Sequence, residues 1–105
     1  PLSVITLAPD MEQIIINASK DQNNNGLILE PGFTQSMIKA IAKAFESAGT
    51  EGITPVLLTS PIIRRNLSSL IRQNLEDLSV LSFTELPENR KIKVIANIEN
   101  KNEEK

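Results

Sequence analysis

The stretch PVLLTSPIIRRNLSSLIRQNL, residues 55–75, decides the fold class of this chain. It begins with Val56-Leu57-Leu58, an apolar run without polar alternation, which is typical of a strand covered on both faces. Ser60 is a favoured helix N-cap, and Pro61 suits the first helical position. Apolar residues then recur at helical spacing and predict one buried face. They are Ile63, Leu67, Leu70, Ile71 and Leu75.

A second apolar run, Val80-Leu81, follows this helix after a few residues. Strand, helix and strand of these lengths form a βαβ crossover, in which the two strands are parallel and the connection is right-handed. We therefore expect residues 56–59 and 80–83 to be neighbouring parallel strands.

The first half of the chain contains one more strand and two more helices. Residues 4–7 form a β-branched run that ends at Ala8-Pro9, and a helix follows with Met11, Ile14, Ile15 and Ala18 on one face. We expect a polar loop at 20–26 and an extended segment at 27–29. Thr34 is the predicted N-cap of the next helix, and Gly49 is its predicted end. The predicted core face of this helix includes Ile41 and Phe45.

The end of the chain predicts one exposed strand. Ile92, Val94, Ala96 and Ile98 alternate with polar residues, as in a one-sided edge strand, and we expect residues 91–98 to pair antiparallel. The predicted fold class is thus α/β: a small mixed sheet with a βαβ crossover, about three packed helices and an antiparallel final strand. Residues 1–98 form a single predicted domain, and 99–105 a solvated tail.

Composition narrows the possible functions. The 105 residues are 40% hydrophobic with a formal net charge of −2, and only 3% are aromatic, which argues against nucleic-acid binding. There is no His, Cys, Tyr or Trp. We therefore expect no catalytic, metal-binding or cofactor-binding residues and no enzymatic activity. No run is long enough to span a membrane, so we expect no direct membrane insertion. Because the chain begins with Pro in a strand-like segment, we expect it to be a piece of a longer protein.

Three arginines on the predicted helix at 61–75 form the candidate functional surface. Arg64, Arg65 and Arg72 lie on the solvent-exposed side of the helix, opposite the apolar stripe. There they could contact an acidic protein partner, or they could serve only solubility. A phosphate site at Ser60 is the alternative, but Pro61 removes one donor and no Gly-rich loop precedes it. Asp10 is an isolated acid that suits a helix start. The rival functions are a small phosphoacceptor or nucleotide-binding domain and a free-standing interaction adaptor.

Two regions together resemble a known family. Residues 55–98 contain a predicted strand, then the pattern TSP..R..L..L, then the pattern L.VLS..E.P.N..I.VI. This order of segments resembles the end of proteins of the type III secretion export-gate family. That family is the FlhA and InvA group of flagellar and virulence exporters. Upstream, VITLAPDMEQIIINA and LILEPGF are similar to its L-x-P-x-x-E and L-x-P-G segments. Ser79, the Asn-rich loop and the extended end depart from the family pattern.

The resemblance implies a role as well as a fold. Members of this family have a membrane-embedded half and a cytoplasmic half, and the cytoplasmic half assembles as a nonameric ring. This chain resembles their last cytoplasmic subdomain. The resemblance therefore implies a location on the cytoplasmic side of the bacterial inner membrane. The implied partners are export chaperone–substrate complexes, the export ATPase complex and neighbouring ring subunits, without a cofactor. The stretch LPENRKIKVI is more similar to the flagellar branch.

Overall fold

The computed structural model of the chain describes residues 2–21 and 31–99. The elements, in chain order, are strand β1 (Leu2–Leu7), helix α1 (Pro9–Asp21), helix α2 (Pro31–Gly49), strand β2 (Val56–Thr59), helix α3 (Pro61–Asn74), strand β3 (Val80–Ser82), a 3₁₀ turn (Phe83–Glu85) and strand β4 (Ile92–Ile98). The extended segment predicted at 27–29 and the predicted tail beyond Glu99 lie outside the described residues.

The four strands form one sheet in the order β3-β2-β1-β4, and every neighbouring pair is parallel. The predicted βαβ unit is confirmed, because β2 and β3 pair in parallel and α3 connects them. The prediction of a mixed sheet with an antiparallel final strand is wrong. Strand β4 lies at an edge, as expected, but it runs parallel to β1, from Leu2↔Ile92 to Leu7↔Ile98. The prediction that its apolar residues share one face is also wrong, because the register shifts after Val94.

The connection between β3 and β4 explains this error. A short link without a helix usually joins antiparallel neighbours, whereas parallel strands usually need a longer crossover. Here residues 83–91 carry the chain from the carboxyl end of β3 back to the amino end of β4, on the far side of β2 and β1. A segment of this length can extend to roughly 30 Å, which is enough for that path.

The three helices pack on one face of the sheet. Successive right-handed crossovers from β1 to β2 and from β2 to β3 place their helices on the same side. The core on this side contains residues of every helix and every strand; its fully buried members include Ile5, Ile15, Ile41, Leu57, Ile63, Leu67 and Ile71. The step from β3 to β4 runs the opposite way along the sheet, so a right-handed connection at 83–91 passes over the second face. Val4 and Leu58 on that face are also buried.

The core positions follow the predicted helix stripes closely. Ile41 and Ile63 are fully buried, as predicted, while Phe45 and Leu70 are partly buried against the core. The predicted start of α2 is wrong: the helix begins at Pro31, a residue suited to the first helical position, and so Thr34 lies inside the first turn.

The end of α2 at Gly49 is confirmed, and a second glycine makes the exit possible. The N–H groups of Gly52 and Ile53 donate to the carbonyl oxygens of Gly49 and Ala48, at 3.0 Å each. This is the hydrogen-bond pattern of a Schellman motif, which needs a left-handed residue. Gly52 supplies it with a φ of 76°, and glycine adopts this conformation without steric cost.

Two isoleucines of α3 provide a matched test of this core. Ile71 is fully buried, whereas Ile62 is 63% exposed. We expect Ile71→Ala to lower the free energy of unfolding by about 2–5 kcal/mol, because it removes buried methyl groups and leaves a cavity. Ile62→Ala should change it by about 0.5 kcal/mol or less. Urea denaturation followed by circular dichroism measures both, and equal losses would contradict the assigned orientation of α3.

Candidate functional site

The starts of α1 and α3 meet at the carboxyl edge of the sheet, and one carboxylate joins them. Oε2 of Glu12 accepts a hydrogen bond from the backbone N–H of Ser60 at 2.8 Å and another from the hydroxyl of Thr59 at 3.1 Å. Thr59 is fully buried, and Glu12 is half-buried. The carboxylate therefore ties the first turn of α1 to the end of β2 and the start of α3.

This contact occupies the place where a phosphate would bind. Ser60 is the N-cap residue of α3, as predicted, and Pro61 follows it at the first helical position. The Ser60 side chain forms no capping bond, and its Oγ is buried without a hydrogen-bond partner among the described residues. Because the Ser60 N–H already faces the negative charge of Glu12, the geometry argues against the phosphoacceptor or nucleotide-binding alternative.

Asp10, the other residue of that alternative, has a local role. Its Oδ1 accepts the backbone N–H of Met11 at 2.8 Å, and the residue is exposed at the start of α1. This position suits the stabilisation of a helix N-terminus by an acidic side chain.

A second carboxylate organises the end of β3. Oε1 of Glu85 accepts the backbone N–H of Ser82 at 2.7 Å and Nε–H of Arg64 at 3.0 Å. The Ser82 hydrogen bond lowers the pKa of Glu85 most; partial desolvation raises this pKa, and the positive charge of Arg64 lowers it further. The net effect is a pKa below the ordinary glutamate value, so the carboxylate is ionised at neutral pH.

The three predicted docking arginines have different surroundings. Arg64 and Arg72 line a groove of about 230 Å³ between α3 and β3, together with Ser68 and Glu76. Arg65 is not among the groove residues, although it is exposed on the same helix. Arg64 is half-exposed and held by Glu85, whereas Arg72 is exposed in the last turn of α3. Thus α3 offers two exposed cations beside one that is already paired.

The two organising carboxylates were absent from the predicted site, although the sequence carries a signal for each. Ser82 and Glu85 have the S-x-x-E spacing of a capping box, and the structure contains that motif. Glu12 follows β1 closely and Ser60 follows β2, and the parallel pairing of these two strands brings both residues to the same edge. Parallel pairing was predicted only for residues 56–59 and 80–83. None of the helices in the described residues, 2–21 and 31–99, has both the length and the apolar character that a membrane crossing requires.

Comparisons with known proteins give a consistent result. The sequence model of the FHIPEP family matches residues 1–91. The flagellar biosynthesis protein FlhA of Borreliella burgdorferi is 34% identical over 100 residues, which are 93% of this chain and 14% of that protein. FlhA of Bacillus subtilis is 32% identical over 95 residues, which are 90% of this chain and 14% of that protein. The chain therefore spans about one-seventh of the length of these relatives.

Solved structures share the fold. The nonameric EPEC SctV-C has a TM-score of 0.76 and 26% identity, covering 92% of this chain and 29% of that one. Chlamydia pneumoniae CdsV, solved in a complex of CdsV and CdsO, has a TM-score of 0.76 and 29% identity, covering 91% and 28%.

The Glu12 contact predicts a measurable loss of stability. Glu12→Ala leaves the Ser60 N–H and the Thr59 hydroxyl without their acceptor, so we expect the free energy of unfolding to fall by about 1–3 kcal/mol. Glu12→Gln retains an oxygen acceptor but not the charge, and it should cost less than Glu12→Ala. Gln13→Ala, on the exposed side of the same helix, is the control and should have little effect. Urea denaturation distinguishes them, and a Glu12→Ala loss no larger than the control's would refute the contact.

The Glu85 contacts predict a specific acid titration. We expect carbon-detected NMR to show a Glu85 pKa below the ordinary glutamate value, and to show that Arg64→Ala raises it only in part, because the Ser82 N–H remains. Since the pKa is depressed in the folded state, the stabilisation is present above the unfolded-state pKa and is lost as the pH falls through the folded-state pKa. An Arg64→Ala protein with an ordinary Glu85 pKa would instead assign the whole shift to the arginine.

Proposed function

The chain belongs to the FHIPEP family, and from that premise we propose that it is a non-enzymatic cytoplasmic part of a flagellar protein-export gate. In this role it contributes to docking and transfer of export substrates and their chaperones, on the cytoplasmic side of the bacterial inner membrane. The observation that carries the proposal is the family match over residues 1–91, supported by the fold shared with SctV-C and CdsV.

The partners follow from the assemblies of the structural relatives. SctV-C is nonameric, which supports neighbouring copies in a ring as one class of partner. CdsV has been solved with CdsO, which supports a second class, another component of the export machinery. Export chaperone–substrate complexes and the export ATPase complex are the candidates in that class. A parent reading frame without a block of membrane helices would contradict the proposal and favour a free-standing adaptor.

A non-enzymatic role agrees with the chemistry of the described carboxylates. Glu12 and Glu85 are the two that accept hydrogen bonds between separate elements, and each holds backbone N–H groups in place. The chain contains no His, Cys or Tyr that could act as an alternative acid, base or nucleophile. The exposed arginines of α3 remain available, and surface charges of this kind suit binding.

The outer side of α3 is the proposed docking surface of this part of the gate. Arg65 and Arg72 are exposed, and the buried stripe of the helix does not include them. An acidic partner surface can therefore approach them without any change in the core. Exposed ion pairs contribute only about 0.2–1 kcal/mol each, so the main effects are on association rate and salt dependence.

Charge reversal at this surface tests the docking role. We expect Arg65→Glu with Arg72→Glu to leave the thermal midpoint nearly unchanged and to reduce flagellar protein secretion when the pair replaces the parent sequence at its chromosomal locus. Arg64 is omitted because its reversal would also break the contact with Glu85. Lys39→Glu with Lys43→Glu, on the exposed side of α2, makes the same change in net charge and is the control.

The two double variants separate docking from solubility. Normal folding with normal secretion in the Arg65/Arg72 variant would show that these arginines serve only solubility. Equal secretion defects in both variants would assign the effect to net charge rather than to the α3 surface.

A further inference from the structure

Strand β4 is an edge strand, paired on one side only among the residues that the structure describes. The carbonyl oxygens of Lys91 and Ile98 accept the N–H groups of Leu2 and Ala8, at 2.9 and 2.8 Å, so these carbonyls face β1. Backbone groups alternate in direction along a strand, and the register shifts once, after Val94. Ile92 and Val94 before the shift, and Asn97 after it, therefore turn their N–H and C=O groups outward. Among the described strands, none pairs with that side of β4.

The side chains of this edge alternate between two kinds. Ile92 and Val94 are 42% and 53% exposed, and they lie on the second face of the sheet, beside Leu2 and Val4. Lys91 and Lys93 alternate with them and are exposed. Within the described residues, neither lysine forms an ion pair. Along residues 91–94, the edge is thus apolar on one face and cationic on the other.

The helical layer leaves space beside the same edge. Helix α2 packs over both β1 and β4. A groove of about 340 Å³ separates its C-terminal part from β4. Small side chains of α2 line one wall of the groove, namely Ala44, Ser47 and Ala48. Residues of β4 line the other wall, namely Lys93, Ile95 and Ala96. One carboxylate, that of Glu51, also lines the groove. This space lies where side chains of a fifth strand would enter the layer between helix and sheet.

We propose that β4 binds, by strand addition, an extended segment of a partner protein in which apolar and acidic residues alternate. Main-chain hydrogen bonds to Ile92, Val94 and Asn97 would hold the segment. Its apolar side chains would cover Ile92 and Val94, and its acidic side chains would lie beside Lys91 and Lys93.

Charge selects this occupant over a second copy of the chain. Pairing of two β4 edges would bring Lys91 and Lys93 of one copy toward the same residues of the other, and like charges on facing strands are destabilising. Lysines and bulges on an edge strand also discourage indiscriminate pairing. An acidic segment instead meets opposite charge. This surface is on the opposite sheet edge from the α3 arginines, so it is independent of the docking surface proposed above.

The first experiment measures strand pairing directly. The probe is a blocked peptide of alternating valine and glutamate, about eight residues long to match β4, added to the 15N-labelled 105-residue chain. We expect chemical-shift changes and slower hydrogen exchange at the amides of Ile92, Val94 and Asn97. Val94→Pro removes an outward N–H without breaking the ladder to β1, and it should weaken binding about tenfold. Val94→Thr is the matched control and should bind as the parent does.

A charge-reversal pair tests the choice of partner and does not depend on the proline variant folding. Lys91→Glu with Lys93→Glu should weaken binding of the valine–glutamate peptide and create binding of a valine–lysine peptide. Lys39→Glu with Lys43→Glu makes the same charge change on α2 and should alter neither. Protection mapped away from β4, equal binding of both peptides by the parent chain, or self-association through β4 in sedimentation would each overturn the proposal.

Discussion

All four strands run in the same direction, and this constraint determines where every other element lies. Each connection has to return the chain from the carboxyl edge of the sheet to the amino edge before the next strand begins. The steps from β1 to β2 to β3 go one way, and their right-handed crossovers put the helices on one face. The step from β3 to β4 goes back past two strands, so residues 83–91 use the other face. The two edges consequently differ: β3 lies beside α3, and β4 lies under the side of α2.

The same constraint gathers helix starts at the carboxyl edge, where free N–H groups and helix dipoles make the surroundings electropositive. Parallel α/β sheets commonly bind ligands at this edge. In this protein a side chain of the chain itself, Glu12, supplies negative charge at this edge. Its carboxylate accepts hydrogen bonds from the Ser60 N–H and from the buried Thr59 hydroxyl. Charge-assisted hydrogen bonds of this kind are stronger than neutral ones. The edge is thereby used to join α1 to β2 and α3, and the surfaces left for binding lie elsewhere.

The sequence predicted most of the helical layer but only part of the sheet. Periodicity identifies the buried side of a helix directly, and so Ile63, Leu67 and Ile71 were placed correctly. Alternation along 92–98 predicted one shared apolar face, but the register shift after Val94 puts Ile92 and Val94 on the second face and Ala96 and Ile98 on the helical side. The alternation is also the same for either strand direction, so the orientation of β4 could not be read from it. Direction depends on the path of residues 83–91, which is set by three-dimensional order. The predicted arginine surface illustrates the same limit, because the pairing of Arg64 with Glu85 requires α3 to lie beside the end of β3.

The Arg64–Glu85 pair also bears on whether the two proposed surfaces influence each other. Arg64 belongs to α3, whereas Glu85 lies in the 3₁₀ turn from which the chain leaves for β4. A partner that drew Arg64 away from Glu85 would remove one contact of that turn. The Ser82 N–H would still hold the Glu85 carboxylate at 2.7 Å, within a capping box that does not involve α3. The path toward β4 is therefore fixed by the turn itself, and the edges lie three strand spacings apart, about 14 Å. The proposed docking at α3 and the proposed strand addition at β4 therefore use opposite edges of the sheet and share no residue.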